Sequence, residues 1–438
     1  MKTQWTKAVA VLLMAALLMG GMLAQAEGTD SQRLDVYYSL AVGNIGREDY
    51  DKAMTYLDKA LELATEENNP EMYADLRLKK GCVYTIRGEY EDAIRELDEA
   101  TRVQPELAEP YLVRVQVYTE LNDMAKAAAD LEKYIELTGN TDMQETLAQM
   151  YLQLEDRSKA EESYRRVAEQ VSEDESLVPY NLAVYEMNAG MYEEALANLL
   201  LCEPDTEKMP GFYYNIGVCR MMLNQYPEAV EAFTASMESE DYYTDAMYNR
   251  AICGVSTQDF EAAAADFTAY IDRFEGAPET EAADGEATES TKGEAAKPDG
   301  EMEMVAYYYR GVSWLSVGKF EEAAADFTVC LEKGINVNES ALNRGLSYLQ
   351  GGKFEEAKAD FTACIEAEYA VDDALFYRAY AHRYLDDNQA ALEDLTQCVE
   401  HGYQLGQTYQ QRAQVYQALG DEEHYLEDLE SALEYLED

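Results

Sequence analysis

The chain has 438 residues, 47% of them hydrophobic, enough to bury several ordinary domains or one long array. Its net charge of −53 repels nucleic-acid phosphates and anionic membranes, which sets both aside as partners. Basic partners, cations and plain solubility stay open.

Residues 1–26 read as a signal peptide. Lys2 and Lys7 supply a positive start, residues 8–19 form an unbroken apolar run, and Ala24-Gln25-Ala26 places small residues at both specificity positions of a cleavage site. Cleavage is expected before Glu27, giving an exported chain, secreted or in the cell envelope, with no membrane insertion afterwards. The alternative is a retained anchor, because the run is marginally long enough to span a bilayer.

Beyond residue 34 the chain repeats itself. In the stretch 309–331, a small residue (Gly311) is followed three places on by an aromatic (Trp314), then by the turn Gly318-Lys319. Phe320, Ala323, Phe327 and Cys330 follow at spacings of three and four. Such spacings place side chains on one helical face, and a glycine ends one helix so that the next can reverse. The unit is therefore two antiparallel helices. It recurs thirty-four residues on (345 − 311) as Gly345, Tyr348, Gly352-Lys353, Phe354, Ala357 and Phe361.

The small residue of the second helix marks each copy: Ala53, Ala93, Ala127, Ala160, Ala195, Ala229, Ala263, Ala323, Ala357, Ala391 and Tyr425. Eleven copies follow, and a fixed period of this size means a stacked array, since one helical pair cannot bury its own apolar face. Repeats one to seven are expected over 34–274 and repeats eight to eleven over 304–438. The step from Ala263 to Ala323 hides 26 extra residues (60 − 34), an acidic segment at 275–303. Its central run has no aromatic and no aliphatic larger than alanine, so it is expected to be a disordered linker, with Lys292 and Lys297 as first proteolytic sites. A tolerated loop insertion and a hinge between two arms are the two readings of it.

The pattern small–x2–aromatic, aromatic–x2–Ala–x3–aromatic resembles the tetratricopeptide repeat, most fully in Gly81, Tyr84, Tyr90, Ala93, Leu97, Ala100 and Pro105. The resemblance implies an all-α fold, an α-solenoid of about eleven helix-turn-helix repeats forming a right-handed superhelix. First helices would line its concave side. It also implies a non-enzymatic scaffold that binds a protein or peptide segment in that groove. The alternative is an enzyme-associated subunit or an envelope-assembly accessory factor with no catalytic site of its own. Groove-facing places of the first helices hold Tyr180-Asn181, Tyr214-Asn215, Tyr248-Asn249, Tyr308-Tyr309, Asn343 and Phe376-Tyr377. Tyrosine offers a rigid face with a polar tip and asparagine pairs with a peptide main chain. Only Lys79 is basic among equivalent places, which argues against a carboxylate clamp.

Other motifs lead elsewhere. Arg250, Arg310, Arg344, Arg378 and Arg412 keep step with Asp266, Asp326, Asp360, Asp394 and Asp428; a repeated ion pair and a ladder for anionic ligands are the two readings, the first favoured by the matching aspartates. The seven cysteines contain no Cys-x-x-Cys, and Cys202, Cys330, Cys364 and Cys398 share one repeat position. Neighbouring copies would sit about 10 Å apart, too far for disulfides, so all seven are expected to be free thiols. Gly318-Lys319 and Gly352-Lys353 precede phenylalanine where a phosphate-binding loop needs Ser or Thr. The three histidines have no metal-ligand spacing. No cofactor, metal or catalytic cluster is expected.

Overall fold

The computed structural model describes residues 29–238, 242–274 and 300–436; the signal-peptide expectation, the proteolytic sites at Lys292 and Lys297 and most of the acidic segment lie outside them. The described residues form twenty-two α-helices and no strand. Ten precede residue 204: α1 (Thr29–Ile45), α2 (Tyr50–Leu61), α3 (Pro70–Arg87), α4 (Tyr90–Val103), α5 (Glu109–Glu120), α6 (Met124–Thr138), α7 (Gln144–Gln153), α8 (Arg157–Val171), α9 (Val178–Asn188) and α10 (Tyr192–Leu199). Twelve follow: α11 (Phe212–Met222), α12 (Tyr226–Glu238), α13 (Tyr243–Ser256), α14 (Phe260–Phe274), α15 (Gly300–Ser316), α16 (Phe320–Lys333), α17 (Val337–Gln350), α18 (Phe354–Glu366), α19 (Val371–Tyr384), α20 (Asn388–Glu400), α21 (Leu405–Leu419) and α22 (Glu422–Leu436). Consecutive pairs are the eleven hairpins, and the fold is an α-solenoid.

One backbone feature defines every hairpin. The residue five places before each second-helix marker has positive φ. It is glycine at Gly88, Gly190, Gly318, Gly352 and Gly420, but Glu48, Asn122, Glu155, Asn224, Gln258 and Asp386 elsewhere, with φ of 58–62°. A left-handed residue lets the chain reverse within a few positions, and a side chain there costs roughly 1 kcal/mol. The array tolerates that cost because both helices are already packed. Second helices open with acidic caps in several copies: Asp49, Asp123, Asp156 and Asp387 accept from the backbone N–H three residues on.

The small residues set helix spacing. A Cβ on Gly345 would lie 2.8 Å from the ring of Phe361, and one on Gly217 2.5 Å from that of Phe233. Glycine thus lets the second-helix phenylalanine press on the first-helix backbone. Phe233, Phe267, Phe327 and Phe361 are all fully buried.

The chain divides into two compact units, Met1–Glu203 and Pro204–Asp438. The acidic segment is not the dividing point. Met247, Phe267 and Tyr270 share one core cluster with Ala306, Tyr307 and Cys330, and Phe267 stacks on Tyr309 with centroids 6.2 Å apart. The helices flanking the segment thus pack as uninterrupted neighbours do, so its ends behave as those of a loop insertion. The expected linker also runs too far: α15 begins at Gly300, inside 275–303.

Candidate peptide-binding surface

The second unit defines the surface best. There, successive first helices approach one another directly: α11 with α13, α13 with α15, α15 with α17 and α17 with α19. Successive second helices make no comparable approach, so the first-helix side is the tighter side of the stack.

Each proposed groove residue can be placed. Tyr180 and Phe376 are buried, at 7% and 4% exposure, so they brace the stack. Tyr214, Tyr248, Tyr308, Tyr309 and Tyr377 are half-buried, as are Asn181, Asn215, Asn249 and Asn343. Tyr214, Tyr248 and Tyr308 each lean on the phenylalanine of their own hairpin: Phe233, Phe267 and Phe327, at 5.8, 5.9 and 6.0 Å between centroids. Tyr309 and Tyr377 stack instead on the preceding hairpin's Phe267 and Phe361. Burial pushes the hydroxyl pKa of Tyr214, Tyr248, Tyr308 and Tyr377 up, keeping them neutral phenols.

The polar tips pair across repeats, not along the chain. Asn249 Nδ2 donates to the Tyr214 hydroxyl at 3.1 Å, and Asn343 Nδ2 to that of Tyr308 at 3.5 Å. Asn181 departs from this, donating to Ser172 Oγ at 2.9 Å. Lys79 is fully buried beside Asp75 (3.3 Å) and under the ring of Tyr38 (5.6 Å), so it is packing rather than an open cationic contact. The same register continues into α21, as Gln410 and Gln411, thirty-four residues past Phe376 and Tyr377. Gln411 accepts from Arg383, and Arg383, Gln410, Gln414 and Gln417 line an open cavity of about 500 Å³. The repeat spacing alone would have located them.

The arginine series is what holds first helices in place. Arg250, Arg310, Arg344, Arg378 and Arg412 each make two hydrogen bonds, of 2.7–2.9 Å, to Asp266, Asp326, Asp360, Asp394 and Asp428 of their own hairpin. In four of these the remaining guanidinium nitrogen reaches a threonine on the preceding hairpin: Arg250 to Thr234, Arg344 to Thr328 and Arg378 to Thr362 at 3.0–3.1 Å, and Arg310 to Thr268 at 3.5 Å. One side chain thus ties three helices, and the anionic-ligand reading falls away. Arg114 and Asp130 form a sixth pair that the sequence reading missed. Arg114 precedes Ala127 by the thirteen places (127 − 114) that separate Arg344 from Ala357 (357 − 344), which was the available signal.

Residues 22–178 match the family described as the SusR N-terminal TPR domain, and residues 211–278 and 342–397 match the tetratricopeptide repeat. Tetratricopeptide repeats are thus found in both halves of the chain. No curated protein matches it. Among solved structures, the repeat array is similar to Naa15/Naa10 bound to HypK-THB, at 14% identity over 92% of this chain and 64% of that one, TM-score 0.45. It is similar to a tetratricopeptide repeat protein from Parabacteroides merdae at 19% identity, over 55% and 93% of the two chains, TM-score 0.31. It is also similar to YrrB, described as a TPR protein with an unusual peptide-binding site, at 22% identity over 42% and 91%, TM-score 0.27.

Six of the seven thiols are buried and all are free; burial pushes Cys330 and Cys364 up to about 11 and Cys398 to about 12. Among the described residues no group of three or more His, Cys, Asp or Glu could hold a metal ion, and no helix is long and apolar enough to cross a membrane.

Proposed function

We propose that this chain is a non-enzymatic interaction scaffold, exported from the cytoplasm, that holds an extended segment of a partner protein on its first-helix surface. The observation that carries the reading is the cross-repeat pairing of Tyr214 with Asn249 and Tyr308 with Asn343. A side-chain amide has two N–H donors and a carbonyl acceptor. The pairing uses one N–H and leaves the rest of the amide for a peptide main chain. The rings beside it are already braced by phenylalanine, so little side-chain entropy is lost on binding. Lys2, Lys7 and Ala24-Gln25-Ala26 support export, and the net charge of −53 favours a basic partner.

The test is capture of partners from envelope extracts by the wild-type chain and by Tyr214→Phe/Asn249→Ala combined with Tyr308→Phe/Asn343→Ala. Loss of a wild-type partner with helical content unchanged supports the reading. Unchanged capture by the folded variant places binding elsewhere. N-terminal sequencing from the native source should find Glu27; Met1 in a membrane fraction would favour the anchor.

A further inference from the structure

One position in the array is filled by a large side chain almost everywhere. Three places after the small residue of the first helix stand Tyr84, Tyr118, Tyr151, Trp314, Tyr348 and Tyr416. Each ring meets a cation. Lys319 Nζ lies 4.0 Å from the centroid of Trp314, Lys126 5.2 Å from Tyr118 and Lys159 4.9 Å from Tyr151. Tyr348 sits between Arg344 and Lys353, at 5.7 and 5.8 Å. Where the ring is replaced, another side chain takes up the place: Glu186 is buried against Asn198, and Arg220 donates to the Glu228 carbonyl.

The hairpin of α13 and α14 breaks the rule twice. The ring position is Gly254, and neither place that supplies a lysine beside the ring in other copies does so here: Asp259 stands where Lys319 and Lys353 do, and Ala262 where Lys126 and Lys159 do. A cavity of about 790 Å³ opens there, within the second unit. Its volume lies within the range of roughly 300–1,000 Å³ usual for ligand sites. Arg250, held by Asp266 and Thr234, lies in its wall, as Arg344 lies beside Tyr348. Pro227 and Val230 give an apolar side, and the exposed carboxylates of Glu231 and Asp259 stand at the rim.

We infer that this cavity receives, from a partner protein, the pair that the repeat itself lacks: an aromatic side chain flanked by a basic one. The ring takes the place beside the Arg250 guanidinium that Tyr348 takes beside Arg344, a cation–π geometry the chain already uses. The basic group answers Glu231 and Asp259, and the strongly acidic chain draws such a segment in. The cavity lies at the turn end of the hairpin, apart from the Tyr–Asn surface, so the inference does not rest on that surface binding a peptide.

The test uses the full chain and three capped tripeptides, Lys-Trp-Lys, Lys-Ala-Lys and Glu-Trp-Glu, in titration calorimetry at low salt. Lys-Trp-Lys should bind at least about fivefold more tightly than either control. Gly254→Tyr should abolish that preference by restoring the ring in cis. Glu231→Gln/Asp259→Asn keeps shape and the Asp259 cap to the Ala262 N–H, and should weaken Lys-Trp-Lys by about fivefold. If Gly254→Tyr does not fold, the amide pair decides alone. Equal affinity for Lys-Trp-Lys and Lys-Ala-Lys, an unchanged preference in folded Gly254→Tyr, or an unchanged Lys-Trp-Lys affinity in the amide variant overturns the inference.

Discussion

The hairpins from α7 to α12 and those from α13 to α22 use the same two positions in opposite ways. In the later run they hold Arg and Asp, sixteen residues apart, with both side chains partly buried. In the earlier run they hold Leu147 and Ser163, Leu182 and Asn198, and Ile216 and Ala232, and the aliphatic member is buried each time. Hairpins form equally in both, so the ion pair is not what makes two helices pack. A buried pair and a well-packed apolar pair have similar net worth, because charge attraction in the interior is offset by lost hydration. What the arginine adds is direction. Its fork fixes the second helix through Asp and, where a threonine is in reach, the preceding hairpin as well.

The largest expected effect tests the feature the two runs share. Phe327→Ala, at a fully buried ring, should destabilise its hairpin by roughly 3–5 kcal/mol. Phe327→Leu, which copies Leu199 of the earlier run, should cost only about 1–2 kcal/mol. Because repeat arrays unfold in parts, hydrogen exchange of amides in α16 is the measurement of choice. Equal costs for both changes would mean that the ring is not the spacer between helices.

The next effect breaks the comparison directly. Asp360→Ala leaves Arg344 half-buried without its fork partner and should cost about 2–4 kcal/mol. Arg344→Leu with Asp360→Ser, the residues of the α7–α8 hairpin, should recover most of that loss. If the double change is as costly as the single one, the pair is needed for packing after all, and the similarity of the two runs is superficial.

A third effect belongs to the α9–α10 hairpin of the earlier run. Glu186 is fully buried; Asn198 donates to both of its oxygens at 2.8 and 3.0 Å, and burial pushes its pKa up to about 7. Glu161 and Glu194 add to that rise and Arg165 opposes it. A raised carboxyl pKa means the folded state holds its proton where the unfolded chain, near 4.3, has released it. Stability of the α9–α10 hairpin should therefore fall as pH rises from about 4.3 to about 7. Glu186→Gln should match wild type near pH 4 and exceed it by about 1–2 kcal/mol at pH 8. The Glu186→Gln change should leave the hairpins from α13 onward as they are in wild type. A wild-type α9–α10 hairpin equally stable at pH 5 and pH 8 would refute the assignment.

The same contrast shows what could be read from the residues alone. The hairpins were legible because Gly311, Phe327 and Ala323 recur at helical spacing, and five turns carry a glycine. The six turns with Glu48, Asn122, Glu155, Asn224, Gln258 and Asp386 were found only through the period, since nothing in those side chains announces a left-handed residue. The Arg–Asp pairs were legible as matched periodic charges. The lysine–glutamate version, Lys80 with Glu96 at 3.1 Å, is hidden from a search for matched Arg and Asp because both residue types change. The candidate surface was legible as a list of positions, but not in its pairing. Tyr214 lies next to Asn215 in sequence, yet bonds Asn249 on the neighbouring hairpin, since side chains one apart on a helix face different ways. Nor did the period alone announce the cavity at Gly254, which depends on a side chain that is missing.

The smallest effect bears on that pairing and separates its two copies. Asn249 approaches Tyr214 at 3.1 Å, well inside the range of a good hydrogen bond, while Asn343 approaches Tyr308 at 3.5 Å, its outer edge. A half-buried neutral bond contributes about 0.5–1.5 kcal/mol, so Asn249→Ala should cost roughly 1 kcal/mol and Asn343→Ala about half of that. Single substitutions also remove packing, so the clean measure is the coupling between Asn249→Ala and Tyr214→Phe in a double-mutant cycle, followed by hydrogen exchange in α13. A positive coupling there, and a smaller one for Asn343→Ala with Tyr308→Phe, would show that the pairing holds adjacent first helices in register. Zero coupling at Tyr214 would mean that the amide is committed to nothing within the stack, and the whole of it would then face whatever the surface binds.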